Sequence, residues 1–284
     1  MLQHQYADVN GIRLHYVEEG SGRLMLFLHG FPEFWYEWHA QIPEFGRDFH
    51  AVAPDLRGYN LSSKPADVES YKTRHLVEDI RALAATLTSD PFTLVAHDWG
   101  GAVAWAFAIQ YPQLLSQLII LNSPHPAVFA RELMTNPKQQ RASQYMRLFQ
   151  SPEAEEIVSA GEFRMLKEAA LPGRSQQDVA KYVAAWSQPG AITGALNYYR
   201  AMRVKPPALD GAIDPKNMDS KAMQVRVRTR VIWGMQDGAL TPGNLDGLAE
   251  FVPDLDIVRV PDATHWIVAE KPALVNQLIR EFVV

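Results

Sequence analysis

A short apolar run, Phe92-Thr93-Leu94-Val95-Ala96, is followed within a few residues by a second, Ala102 to Ile109, with one acidic residue, Asp98, between them. The first run is short and partly β-branched, which suits a buried strand; the second is long and rich in alanine, which suits a buried helix. A strand can pass into a helix across His97-Asp98-Trp99-Gly100-Gly101 only through a turn that forces backbone atoms together. Small residues stand where that crowding is greatest, Ala96 two before Asp98 and Gly100 two after it. This is the pattern of a nucleophile elbow, with Asp98 in the place that serine takes in G-x-S-x-G. An aspartate there also caps a helix N-terminus, so the elbow has to be judged against the rest of the chain.

Composition narrows the setting. With 284 residues, 47% hydrophobic and 21% charged, the chain can bury a large core, either as one domain or as one domain carrying an insertion. A net charge of -5 leaves no electrostatic footprint for nucleic acid or an anionic membrane, and the absence of cysteine excludes disulfides and thiolate metal sites. Residues 1–23 carry no apolar signal core. The most apolar stretch, around Gly100 to Ile109, is about half of the roughly 20 residues that cross a bilayer. A cytoplasmic protein without membrane insertion is the expectation; the sequence does not specify an oligomeric state.

Read in order, the chain opens with a hairpin, Tyr6 to Val9 and Ile12 to Val17 around Asn10-Gly11. Arg23 to Leu28 reads as a buried strand ending at His29-Gly30-Phe31-Pro32, a turn of restricted backbone that can aim the Phe31 N–H into a cavity at the strand's end. His29 reads as a turn-stabilising residue. Phe49 to Pro54 is the next strand, and the Asp55–Arg57 pair after it reads as structural. Tyr71 to Leu87 is an amphipathic helix. Beyond the elbow, Leu118 to Leu121 is a strand ending at Asn122-Ser123-Pro124-His125-Pro126. Strands alternating with helices imply a mostly parallel sheet covered on both faces, with ligands beyond the carboxyl ends of the strands. From about Val128 to Pro215 helical signals replace strand signals: Arg131 to Gln150, a helix led by Ser151-Pro152 towards Leu171, Gln176 to Gln188 and Ala191 to Arg203, with Pro206-Pro207 ending the unit. Val225 to Trp233 and Leu255 to Val260 resume the sheet, and a helix from Pro272 to Phe282 closes it. The expected division is therefore a core of residues 1–127 and 216–284 around a helical cap of residues 128–215.

Two polar residues fall just past the resumed strands, Asp237 after Val231-Ile232-Trp233-Gly234 and His265 after Ile257-Val258-Arg259-Val260. In chain order Asp98, Asp237 and His265 run nucleophile, acid, base. With these residues assembled, the chain resembles the α/β-hydrolase superfamily over essentially its whole length, and within it the soluble epoxide hydrolases. The resemblance is carried by His29-Gly30-Phe31-Pro32, His97-Asp98-Trp99-Gly100-Gly101, and the Asp237 and His265 loops. Two cap segments add to it, Tyr145-Met146-Arg147-Leu148-Phe149-Gln150-Ser151-Pro152 and Leu196-Asn197-Tyr198-Tyr199-Arg200, whose matching tyrosines are Tyr145 and Tyr199; the family usually has a packing aromatic at the position of Tyr198.

The resemblance implies an α/β-hydrolase fold with an inserted helical cap, and an enzyme that converts an epoxide to a vicinal diol with water and no cofactor or metal. The residue types suit that chemistry. A carboxylate is already ionised at neutral pH, so Asp98 can attack carbon directly and form an alkyl ester. Tyr145 and Tyr199 can donate to the departing oxygen. His265, oriented by Asp237, can activate the water that hydrolyses the ester, and the backbone N–H groups of Phe31 and Trp99 can receive the oxyanion. Phe31, Trp35, Trp99, Phe149, Trp186 and Trp266 are the expected apolar lining, which favours an aryl or alkyl epoxide. The first rival is a haloalkane or haloacid dehalogenase with the same Asp–His–Asp set. Phe31 and the tyrosine pair count against it, and Trp99 stands where fluoroacetate dehalogenases usually have arginine. The second is a non-catalytic receptor of the same superfamily, which typically lacks a triad member; this chain has all three.

Overall fold

A computed structural model describes residues 2–202 and 223–283. Its strands are β1 (Gln3–Val9), β2 (Ile12–Glu19), β3 (Leu24–Leu28), β4 (His50–Pro54), β5 (Phe92–His97), β6 (Leu115–Leu121), β7 (Thr229–Gly234) and β8 (Leu255–Val260). They form one eight-stranded sheet in the order β1-β2-β4-β3-β5-β6-β7-β8. The pairs β1–β2 and β2–β4 are antiparallel and the others parallel. The opening hairpin turns on Asn10 and Gly11, both at positive φ (47° and 75°), the conformation that an Asn-Gly hairpin turn needs.

The period of two along each strand divides the core. Leu24, Leu26 and Leu28 of β3, Leu94 and Ala96 of β5, and Leu118 and Ile120 of β6 face one side. Met25, Phe27, Val95, Ile119 and Leu121 face the other. The first side is covered by α2 (Thr73–Leu87) and α3 (Asp98–Gln110), the second by α1 (Ile42–Phe45), α10 (Ile267–Glu270) and α11 (Pro272–Val283). The helix α3 has no polar stripe because it is buried nearly all round: Val103, Ala104, Trp105, Phe107 and Ala108 are each at most 1% exposed.

Between β6 and β7 the chain is helical through α4 (Pro126–Thr135), α5 (Pro137–Ala142), α6 (Tyr145–Phe149), α7 (Ala154–Ala170), α8 (Gln176–Trp186) and α9 (Ala191–Arg200). The stretch expected as a single amphipathic run, Arg131 to Gln150, is divided. Pro137 cannot continue the first helix, and the Asn136 side chain accepts from Lys138 N to start the next. Ser151-Pro152 does not cap α7, which starts two residues later, after Glu153. That helix is broken where Gly161, Glu162 and Phe163 all take positive φ. Pro206-Pro207 and the expected cap boundary near residue 215 lie outside the described residues.

A second correction concerns Asp55 and Arg57, which do not pair with each other. Asp55 accepts from Trp35 N and Asn60 and contacts His15, whereas Arg57 makes a two-pronged bond to Asp79 of α2 at 2.6 and 2.7 Å. Both remain structural, as does His29, whose ring bonds the Gly30 carbonyl and receives Leu56 N–H.

Strand order positions the site. From β3 the sheet grows in one direction through β4 and in the other through β5, so the crevice at the carboxyl ends of β3 and β5 is a topological switch point. Leu28 and Ala96 are register partners there. The residues that follow them, His29-Gly30-Phe31 and His97-Asp98, are thereby brought side by side.

Candidate active site

Asp98 has φ of +47°, a conformation that is strained for any residue with a side chain and persists only where its surroundings impose it. The crowding read from the sequence is real: a side chain at Gly100 would collide with the Leu28 and His29 carbonyls, and one at Gly30 with Asp98 itself. Ser123 at the end of the neighbouring β6 donates its hydroxyl to the Asp98 carbonyl at 2.6 Å. The Asp98 carboxylate accepts Phe31 N–H at 2.8 Å on Oδ1 and has His265 Nε2 at 3.6 Å from Oδ2. Trp99 N–H is one of the first-turn amides of α3, which have no partner inside the helix and so present donors to the same spot.

His265 is fixed from behind. Its Nδ1 is 2.7 Å from Asp237 Oδ2, which makes Nδ1 the donor and leaves Nε2 the free acceptor facing Asp98. At 3.6 Å the latter is no hydrogen bond. Asp237 is 6% exposed and accepts from Ala239 N, Leu240 N and Asn122 Nδ2. Burial works against its charge, but His265 and these donors outweigh burial and hold its carboxyl below the usual carboxylate range.

The cap supplies a roof of rings. Phe31 lies 5.1 Å from Phe149 and 5.2 Å from Tyr199, centroid to centroid, and Trp99 stands edge-on to Tyr199 at 5.0 Å. Tyr145 stands edge-on to Phe149 at 5.4 Å and to Tyr199 at 6.1 Å. Gln150 Nε2 donates to the Tyr199 carbonyl at 2.8 Å, which ties the two tyrosine segments together. Burial, then the nearby Asp98 charge, pushes the Tyr145 hydroxyl well above the ordinary phenol range; burial, then Tyr145 and Asp98, does the same to Tyr199. Both therefore stay protonated as donors. Tyr198 is turned away, its hydroxyl bonded to the Arg57 carbonyl at 2.8 Å.

The expected lining is only partly assembled. Trp186 donates Nε1 to the Pro32 carbonyl at 2.6 Å and, with Phe31, Phe34, Tyr59 and Ile192, bounds a cavity of about 10 Å³, room for one water. Trp266 stands edge-on to His265 at 4.9 Å. Trp35 is not brought to the site: its ring packs on His4 of β1, Phe34 and Tyr36. Its backbone N–H is held by Asp55 at 3.0 Å.

Several residues in the site were not singled out in the sequence. Asn122, at φ +36°, holds Asp237 and accepts Gly234 N–H; Ser123 supports the elbow; Tyr59 carries a buried hydroxyl with no partner. The first two follow β6 directly, so the strand-end rule applied to every strand would have found them. Among the described residues no three His, Asp or Glu side chains are grouped so as to hold a metal ion, and no helix is long and apolar enough to cross a membrane.

Residues 23–272 match the family model of the alpha/beta hydrolase fold. The chain belongs to this family. Within the α/β-hydrolases it is 39% identical to the AB hydrolase superfamily protein YfhM of Bacillus subtilis, over 98% of this chain and 96% of that one. It is 34% identical to epoxide hydrolase 2 of Caenorhabditis elegans, over 98% of this chain and 79% of the relative. Among solved structures it is similar to an epoxide hydrolase from Bacillus megaterium, with 40% identity, a TM-score of 0.89 and coverage of 98% of this chain and 99% of the other.

Proposed function

We propose that this α/β-hydrolase is an epoxide hydrolase that opens an apolar aryl or alkyl epoxide to a vicinal diol through an ester on Asp98. In this reading residues 1–127 and 216–284 form the catalytic core, 128–215 the cap, and the small-molecule epoxide and water are its partners. Tyr145 and Tyr199 donate hydrogen bonds to the epoxide oxygen as Asp98 attacks a ring carbon. The carbon–oxygen bond breaks, the ester forms, and the departing oxygen takes a phenolic proton. His265 then removes a proton from water, whose oxygen attacks the ester carbonyl; Phe31 and Trp99 N–H groups receive the oxyanion. Asp237 stabilises the imidazolium. As the intermediate collapses, the diol oxygen leaves with the imidazolium proton, and the proton left on the new Asp98 carboxyl returns to the phenolate, which restores the carboxylate, the neutral His265 and both phenols.

The observation that carries the reading is the opposition of one carboxylate, bonded to Phe31 N–H at 2.8 Å and beside His265, to a roof with two hydroxyls kept protonated by burial and by that same carboxylate. A halide leaves without a proton and has no use for such a pair. The names of the relatives add support, and one Bacillus megaterium structure holds a naphthyloxy-propanediol as its enzyme's product, an aryl-substituted diol of the class proposed here.

The test is His265→Gln incubated with styrene oxide and weighed intact. Ester formation survives and hydrolysis does not, so the protein gains the mass of one epoxide on Asp98. Substrate consumption by this variant without any adduct would refute the assignment of His265 to the second step.

A further inference from the structure

We infer that Glu37 and His97 act as a positioning pair, locking the turn that carries Phe31 to the loop that carries His265 and so serving ester hydrolysis. The inference rests on the proposed ester at Asp98.

Neither residue faces the substrate side; Glu37 is 2% exposed and His97 fully buried. Glu37 Oε2 accepts Gly30 N–H at 3.0 Å, directly before Phe31 in the chain. Glu37 Oε1 lies 2.5 Å from His97 Nδ1, an ion pair by distance without the alignment of a good hydrogen bond. On its other side His97 Nε2 is 2.9 Å from the His265 backbone carbonyl. That oxygen can only accept, so Nε2 carries a proton, and a carboxylate beside Nδ1 holds the second proton there. A doubly protonated ring thus spans two acceptors. Burial opposes its charge most strongly, but Glu37, with Asp98 and Glu33, outweighs burial and raises its pKa to about 9.

Three links therefore run through buried side chains from the residue before the oxyanion donor, through the residue before the nucleophile, to the backbone of the base. The first chemical step needs Asp98 and the phenols, and Asp98 has its own supports in Ser123 and Phe31. The second step needs the His265 ring and the Phe31 N–H at fixed positions about one ester carbonyl. The first step shares only the Phe31 N–H with the span that Glu37 and His97 bridge, whereas the second uses both of its ends, the Phe31 N–H and the His265 ring.

The experiment measures ester formation and ester decay separately, by rapid quench and intact mass with styrene oxide, in Glu37→Ala, Glu37→Gln and His97→Gln. Misplacing a catalytic group by about an ångström costs roughly 100-fold. Glu37→Ala is expected to slow decay by about that factor while formation changes by about 3-fold or less. Ester then dominates the steady state, and kcat and KM fall together. Glu37→Gln recovers most of the decay rate, because its amide oxygen takes Gly30 N–H and its NH₂ donates to a neutral His97 that still bonds the His265 carbonyl. His97→Gln cannot span both partners and slows decay as Glu37→Ala does, which keeps the inference open to refutation should Glu37→Ala not fold. Decay unchanged, or formation and decay slowed alike, in a folded Glu37→Ala or His97→Gln overturns the inference alone. Absence of any ester in His265→Gln overturns the proposed function and the inference with it.

Discussion

Glu33, the residue after the Phe31-Pro32 turn, offers a stability test that needs no substrate. It is 2% exposed, and the Tyr182 hydroxyl of α8 donates to it. Burial first, and then the neighbouring Glu37 charge, raises its pKa from 4.5 to about 8, against the opposing pull of Tyr182, Arg174 and His97. The folded value lies above the unfolded one, so between them the native protein holds a proton that the unfolded chain has released. The stabilising contribution is complete below about pH 4.5 and is lost as pH rises through about 8. At about 1.4 kcal/mol per pH unit, the whole window amounts to about 5 kcal/mol. Glutamine keeps the shape and the donor and acceptor of the protonated acid but does not titrate. Urea unfolding of wild type and Glu33→Gln at intervals from pH 5 to 9 should therefore show the variant gaining on the wild type by on the order of 1 kcal/mol per unit, levelling off above pH 8. His97, whose raised pKa removes stability between its unfolded value of 6.5 and about 9, owes its rise against burial mainly to Glu37, which both proteins keep, and least to the Glu33 charge, so only that last part of its loss differs between them. Parallel curves for the two proteins would refute a protonated Glu33 in the native state.

Other substitutions separate the parts of the site. Replacing both Tyr145 and Tyr199 by Phe should slow ester formation by roughly 10²- to 10⁴-fold in rapid-quench measurements, whereas Tyr198→Phe, whose hydroxyl serves the Arg57 carbonyl, should change it by no more than about 3-fold. Asn122→Ala removes the amide donor to buried Asp237 and should destabilise the fold by about 1–3 kcal/mol in urea melts, with ester decay slowed more than formation. Asp79→Ala strands Arg57, which is 5% exposed, and should cost about 3–5 kcal/mol of unfolding free energy; a loss under 1 kcal/mol would mean that water reaches the guanidinium.

How much was legible in the sequence depended on whether local physics decided the outcome. The elbow was legible because crowding at a strand-to-helix turn restricts residue size at Ala96 and Gly100, and the structure turns there on an Asp98 at positive φ. Most strands were legible from their apolar runs and the opening hairpin from alternation, although β6 starts at Leu115, earlier than the run at Leu118, because Leu115 and Gln117 pair with β5 across a bulge at Ser116. Cap boundaries were less legible. The break in α7 at Gly161 to Phe163 leaves only one glycine as a signal in a sequence that otherwise favours a helix. Partnerships between distant residues were not legible at all: Arg57 stands two residues from Asp55 yet bonds Asp79, because α2 crosses the loop at that point. Glu37, His97 and Asn122 are likewise defined by what folding sets beside them.

The central claim is that the oxygen delivered to substrate in the first turnover comes from Asp98 and not from solvent. A single turnover with enzyme in excess over styrene oxide in ¹⁸O-labelled water, followed by mass analysis of the diol and of the peptide containing Asp98, tests it directly. The account predicts unlabelled diol and one labelled oxygen retained in the Asp98 carboxylate. Labelled diol with an unlabelled Asp98 would show that water attacks the epoxide itself, and would contradict the ester on which the account rests.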